Sequence, residues 1–378
     1  MSSGEQKNRI WLSPPHLGGQ EKQYLNAAIS ENWIAPAGPQ IDRFESELEN
    51  YIGYKKYAAA LNSGTAAIHL ALILAGVTKG DEVICQSLTF AASANPIKYL
   101  GATPVFVDSE QTTWNICPVL LEEAIKDRIA HGKKPKAIIA VHLYGMPYQV
   151  DEVLAVAKKY KIPVIEDAAE ALGSSCNGKP CGNFGKFAIF SFNGNKIITT
   201  SGGGALLSNT EDEKKEAIFL ATQAKDQAFH FEHSQLGYNY RMSNIAASIG
   251  CGQMEVLADR ISQKRELNSW YRELFTAHDI EVQFQDEPSD TYFSNYWLTV
   301  VQLDENVRDR MISAFAEANI ECRPVWKPMH LQPLYKDCVF YGGAVAENLF
   351  KNGLCLPSGT SMTAENRERI VNCLKTIL

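Results

Sequence analysis

A chain of 378 residues, 45% hydrophobic and 21% charged, has apolar material for about two domains of ordinary size, which excludes a disordered polymer. Its 36 basic and 43 acidic side chains leave a net charge of −7, so no global basic surplus draws it to nucleic acid or acidic lipid. The longest apolar stretch, around residues 65–77, carries His69 and falls short of the ~18–20 uninterrupted residues of a membrane helix.

The segment Met1-Ser-Ser-Gly-Glu-Gln-Lys7 is polar and does not read as a signal peptide. Gln40–Ile52 is amphipathic at helical spacing, 65–77 predicts a mostly apolar helix, and Val83-Ile-Cys85 a strand. Helices are predicted at 91–100, 118–129 and 150–160, with strands at 104–107, 137–142 and 163–165. This βα alternation predicts an α/β fold with a mostly parallel sheet and helices on both faces. In such sheets ligands gather at the carboxyl ends of the strands. Past residue 255 the pattern changes to one long charged helix at 256–275, a strand at 296–303, a helix at 307–319, a strand at 321–325 and helices at 344–351 and 363–376. A boundary is expected near 255, between a large domain of residues 1–255 and a smaller α+β domain of 256–378. Nine scattered cysteines without a CxxC pair, and no Asn-x-Ser/Thr acceptor, suit reduced thiols in the cytoplasm.

Three motifs mislead. Gly173-Ser-Ser-Cys-Asn-Gly-Lys179-Pro180 follows a P-loop until Pro180 stands where a hydroxyl should meet magnesium. His230 and His233, with Glu232 between them, lack a third metal ligand and read as a loop or interface. Gly202-Gly203-Gly204 lacks dinucleotide spacing and marks a close approach or turn of the backbone.

Three other segments carry chemistry in combination. Asn62-Ser-Gly-Thr-Ala-Ala67 leads straight into an apolar helix, whose free amides and neighbouring hydroxyls suit a phosphate, although such a Ser or Thr is most often only a cap. Val164-Ile-Glu-Asp167 is a strand ending in acids. Asp167 at its end could keep a heteroaromatic nitrogen protonated, or simply cap a helix or form an ion pair. In Phe190-Ser-Phe-Asn-Gly-Asn-Lys196, Lys196 is flanked by apolar and small residues that could shield an amine nucleophile, and Ser191 adds a second hydroxyl for the phosphate. A lone lysine is more often solvated.

The runs Glu166–Gly173 (EDAAEALG), Ser191–Gly204 and Gly237–Asn244 (GYNYRMSN), with Leu12–Gly19, Arg323–His330 and Leu356–Thr360, resemble the sugar-aminotransferase family of pyridoxal phosphate enzymes, the DegT/DnrJ/EryC/StrS group. The likeness covers nearly the whole chain. It is strongest to the branch that aminates UDP-4-keto-6-deoxy-N-acetylglucosamine on the way to UDP-N-acetylbacillosamine. The resemblance implies an aspartate-aminotransferase-like fold (fold type I), pyridoxal 5'-phosphate as cofactor and no metal. It implies that Lys196 carries the cofactor covalently and Asp167 pairs with its ring nitrogen. Gly64, Thr65 and Ser191 would contact the phosphate, Phe90 would stack on the ring, and Glu170 would lie near the ring hydroxyl or the substrate. Asn239 would reach the phosphate from the other subunit of a homodimer, while Arg241, Arg323 and His330 would stand at the substrate mouth. The implied reaction moves an amino group from L-glutamate to the ketone of a nucleotide-linked sugar in two half-reactions. The alternatives are the same chemistry on a dTDP- or GDP-linked sugar or at C3, and a cofactor-binding protein without transaminase activity.

Overall fold

The structure, a computed structural model, describes residues 8–375. Numbered along the chain, the large sheet contains β1 (Tyr57–Leu61), β2 (Glu82–Gln86), β3 (Thr103–Val107), β4 (Ala137–Val141), β5 (Val164–Asp167), β8 (Phe187–Ser191), β9 (Gly204–Ser208) and β14 (Phe340–Tyr341). Their order is β1-β9-β8-β5-β4-β2-β3-β14. β9 runs antiparallel to both β1 and β8, and the other pairs are parallel.

The predicted α/β sheet is therefore present, and its strands are mostly apolar because both faces are covered. Alternation within each strand sorts the side chains. Ala59 and Leu61 of β1 join Ile165, Ile189 and Leu206 beneath the helix α3 (Gly64–Leu74). Ala58 and Ala60 turn the other way, onto Phe44 and Leu48 of α2 (Pro39–Ile52). Along β4, Ile138 and Ala140 likewise face α5 (Pro118–Ala130) and α6 (Val150–Tyr160). The expected helix at 65–77 stops at Leu74, because Gly76 adopts φ +76 and turns the chain.

A second, antiparallel sheet, β10 (Gln283–Phe284), β12 (Thr299–Gln302), β15 (Gly353–Leu356) and β13 (Arg323–Pro324), packs with α9 (Leu257–Ala277), α10 (Glu305–Glu317) and α12 (Ala364–Leu374). Leu267, Phe275, Val301, Phe315 and Leu354 form its core. β12 begins three residues later than expected: Tyr296 is held at φ 46, outside the extended region. The closing helix ends at Leu374, and Thr376, where it was expected to end, lies outside the described residues, as does the polar Met1–Lys7 segment. The P-loop look-alike folds as a hairpin, β6 (Ser175–Cys176) and β7 (Lys179–Pro180), turning at Gly178 with φ +70 and joined by β11 (Tyr292–Phe293). Among the described residues no helix is long and apolar enough to cross a membrane.

The helices α1 (Glu21–Ser30), α4 (Ala91–Tyr99), α7 (Glu211–Ala221), α8 (Asn244–Met254) and α11 (Val345–Asn352) complete the chain. Because β9 is antiparallel, its amino end sits beside the carboxyl ends of β1 and β8: Gly204 pairs with both Leu61 and Ser191. One rim of the sheet thus receives the chain segments that follow β1, β5 and β8.

Candidate active site

That rim opens into a cleft of about 1080 Å³. At one wall, α3 begins at Gly64. The Ser63 side chain accepts from the Ala66 N–H at 3.1 Å, so the hydroxyl is a helix cap, while the amides of Gly64 and Thr65 precede any intrahelical bond. Close approach explains the glycines here. A Cβ on Gly64 would lie 3.1 Å from that of Ser191, and one on Gly204 would lie 2.4 Å from the Gly64 nitrogen. The Thr65 and Ser191 side chains and the open helix end consequently line one corner of the cleft, a donor-rich recess suited to a phosphate. Gly204→Ala is expected to cost about 1–3 kcal/mol of stability, the usual range for overpacking, and to weaken cofactor binding. Denaturant unfolding with a cofactor titration checks both.

Asp167 ends β5 at the same rim. Its carboxylate accepts from the Ser93 hydroxyl at 2.6 Å and the Ala169 N–H at 3.2 Å, and Ser93 is also bonded to Thr89 at 2.7 Å. Burial raises the Asp167 carboxyl above its usual range, although Ser93, Ala169 and the charge of Lys196 pull the other way. No cation touches it among the described residues. A protonated ring nitrogen supplies the missing charge, so the donor set fits a pyridinium.

Lys196 lies in the turn after β8, with Nζ 3.1 Å from Glu170 Oε1 and 4.1 Å from the centre of the Trp297 ring. The second oxygen of Glu170 accepts from the Tyr144 N–H at 2.7 Å. Burial raises the Glu170 carboxyl, opposed by Lys196 and by that amide. Tyr144 is fully buried at φ 57, a left-handed conformation costing a side-chain-bearing residue roughly 1–2 kcal/mol. The strained peptide is what aims its N–H at Glu170.

Glu166, one residue before Asp167, points to the opposite face of the sheet. Its carboxylate takes His142 Nε2 at 2.8 Å, the amides of Phe184 at 2.9 Å and Gly185 at 3.1 Å, and the amide of Gly182. Burial alone would raise this carboxyl, yet His142 and the amides hold it below the usual range. A carboxyl lowered on folding adds stability above its unfolded pKa, and that stability disappears as pH falls through the folded value. The gap in melting temperature between native protein and Glu166→Gln is therefore expected to be widest near neutrality and to close in acid.

Among the residues expected from sequence, Gly64, Thr65, Phe90, Asp167, Glu170, Ser191, Lys196 and Arg323 all line the cleft. Phe90 presents an exposed ring 5.4 Å from that of Trp326, and Arg323 is paired with Glu321 at 2.7 Å. Three others lie outside it. The exposed Asn239 accepts from Asn62 Nδ2 through its carbonyl at 3.1 Å. The Arg241 guanidinium is taken by Glu45 and by the Ala60 carbonyl at 3.1 Å. His330 bonds Ser87 Oγ at 2.6 Å and Glu347 at 3.2 Å while stacking on Phe340. His230 and His233 are exposed, with His233 held by the Gln223 carbonyl at 2.8 Å, as the loop reading anticipated. Sequence reasoning missed Ser93, Tyr144 and Trp297. Each is a common residue on a separate segment, and only tertiary packing brings them to the rim.

A model of the DegT/DnrJ/EryC1/StrS aminotransferase family matches residues 15–375. The chain belongs to that family. A relative of this aminotransferase is EpsN of Bacillus subtilis (strain 168), provisionally named a pyridoxal phosphate-dependent aminotransferase, 49% identical over 97% of this chain and 95% of its own length. The GDP-perosamine synthase of Escherichia coli O157:H7 is 38% identical, with 93% of each chain covered. The fold is also that of Spr1654 from Streptococcus pneumoniae, provisionally named a sugar aminotransferase and solved in its PMP form, with a TM-score of 0.89, 28% identity and 98% of each chain covered. Spr1654 is known in a PLP form as well. Like its relatives, this DegT-family aminotransferase has fold type I and depends on pyridoxal phosphate.

Proposed function

We propose that the protein transfers an amino group from L-glutamate to the 4-ketone of a nucleotide-linked 6-deoxy sugar, UDP-2-acetamido-2,6-dideoxy-4-keto-hexose. The carrying observation is the placement of Lys196 Nζ against Glu170, beside the buried Asp167, in one cleft. When bound, pyridoxal phosphate supplies an aldehyde carbon for amines and a protonated ring that accepts an electron pair. Gly64, Thr65 and Ser191 hold its phosphate, and Asp167 keeps the proton on its ring nitrogen. Lys196 is the covalent attachment point. Its Nζ would then serve as base toward the Cα–H of the amino donor and, in the second half-reaction, as the acid that delivers a proton to the sugar carbon. Glu170 orients Nζ and stabilises its positive charge, while the Trp297 indole covers one side of it against water. Phe90 would stack on the ring and Arg323 would meet the nucleotide-sugar at the mouth, whereas Arg241 and His330, engaged by Glu45 and by Ser87 and Glu347 outside the cleft, are left as framework residues.

The enzyme acts as a homodimer in the cytoplasm. Asn239 is exposed and absent from its own cleft, and Phe229, Phe231 and Leu236 project from the loop before it, which supports a shared site in which Asn239 reaches the partner's phosphate. Nine free cysteines support a reducing compartment. Of the described residues, those up to 255 form the cofactor domain and those from 256 the smaller domain, except that Ile10 packs in the smaller domain's core and pairs with Ile320, and β14 returns to the large sheet.

Incubation of the holoprotein with glutamate and UDP-, GDP- and dTDP-linked 4-keto-6-deoxy sugars tests this reading, with the amino sugar followed by mass spectrometry. The UDP-N-acetyl sugar is expected to give the highest kcat/KM. Preference for the GDP-linked sugar would instead favour the second reading, which the likeness to GDP-perosamine synthase supports. No amination of any of them would sink both.

A further inference from the structure

Lys264, on α9, is buried and makes no ion pair among the described residues. Three neutral oxygens meet its ammonium: the Ser358 carbonyl at 2.6 Å, the Trp297 carbonyl at 2.8 Å and Ser13 Oγ at 3.1 Å. Burial without a counter-charge pulls its pKa down to about 7. A buried, unpaired cation is a poor device for stability, since an apolar side chain of similar volume avoids its desolvation. The group must be explained by what it holds.

Two of its three acceptors lead to one atom. The Ser13 hydroxyl, accepting from Lys264, donates to the Asn195 carbonyl at 3.0 Å. Trp297, whose carbonyl accepts from Lys264, donates its indole Nε1–H to the same Asn195 carbonyl at 2.7 Å. Asn195 precedes Lys196, and the Trp297 ring lies against Lys196 Nζ. The ammonium thus joins the N-terminal segment, the approach to β12 and the turn after β15 to the peptide group beside the reactive lysine.

We propose that Lys264 is a positioning residue for Lys196: through Ser13 and Trp297 it fixes the Asn195 carbonyl, and with it the peptide from which the Lys196 side chain departs. The inference rests on the reading that Lys196 carries the cofactor. Misplacement of a reacting group by about 1 Å can cost on the order of 100-fold in rate, so loss of this tether acts on the chemical step more than on substrate affinity.

The test compares native holoprotein, Lys264→Met and Ser13→Ala, the last of which keeps the ammonium and breaks only one relay. The measurements are the pH midpoint of the visible absorbance of bound pyridoxal phosphate, kcat and KM for glutamate, and melting temperature. Lys264→Met is expected to move the midpoint by half a pH unit or more and lower kcat about tenfold or more, with KM within threefold; Ser13→Ala moves both in the same direction by less. A role confined to stability would lower the melting temperature while leaving the midpoint within about half a pH unit and kcat within about tenfold of native, and that result overturns the proposal. If Lys264→Met does not fold, Ser13→Ala decides alone, and an unchanged midpoint and kcat there overturn it. Absence of a visible band in the native protein loaded with cofactor would instead remove the assignment of Lys196 on which the proposal stands.

Discussion

Lys196→Ala is expected to lose turnover by more than the roughly 10²–10⁴-fold that a single acid–base group contributes. The reason is that, on the proposed reading, one Nζ performs two tasks, covalent attachment and proton transfer, and among the described residues the only other lysine lining the cleft is Lys327. The fold should survive, since the side chain touches little besides Glu170 and the Trp297 ring. Removal of Nζ leaves Glu170 buried with the Tyr144 amide as its remaining partner, which drives that carboxyl further toward its neutral form. The measurements are steady-state turnover and the absorbance of the purified protein. Turnover within tenfold of native would remove Lys196 from the mechanism.

The second large effect concerns Asp167. If Asp167 pairs with the ring nitrogen as proposed, Asp167→Asn removes its anionic partner, and kcat is expected to fall by roughly 10²–10⁴-fold. Stability should move the other way in the protein stripped of cofactor. A carboxyl whose pKa is raised on folding contributes stability below its unfolded pKa and loses it as pH rises through the folded value. Asp167 is such a group, so at neutral pH its charge works against the apoprotein. Apo Asp167→Asn is expected to melt at or above the native apoprotein at pH 7, with the difference vanishing in acid where native Asp167 is protonated. A variant that melts well below native at pH 7 and equally so in acid would show that the Asp167 contacts are purely structural.

Much of this site was legible because its central residues lie in short, chemically marked segments. The helix start at Ser63-Gly64-Thr65, the acid ending β5 and the lysine after β8 each carry a local signal. So do the parallel strands β2 to β5, whose apolar runs alternate with helical periodicity, whereas the parallel strands β8 and β14 were not anticipated. β1 and β9 were not legible: Tyr57-Ala-Ala-Ala-Leu61 has the composition of a helix, and only burial on both faces and pairing with a distant strand make it extended. Nor could spacing reveal that Glu45 on α2 engages Arg241 or that Tyr144 holds Glu170, since those contacts join segments remote in sequence. The glycine triplet lies between these cases. Its composition announced a close approach, and the structure supplies the object approached, the first amide of α3.

The pairing of Leu61 with Gly204 also sets an order of events in synthesis and folding. The amino end of α3 leaves the ribosome long before the strand that roofs it, and every parallel strand from β2 to β8 must be laid down in between. Contacts that close so long a stretch of chain form slowly. A growing chain that has not reached β9 can already hold Lys196 but lacks Gly204, which closes the corner between Gly64 and Ser191. The corner that Gly64, Ser191 and Gly204 enclose therefore exists only once β9 has paired, so closure of this part of the cleft waits on a contact between segments far apart in the chain.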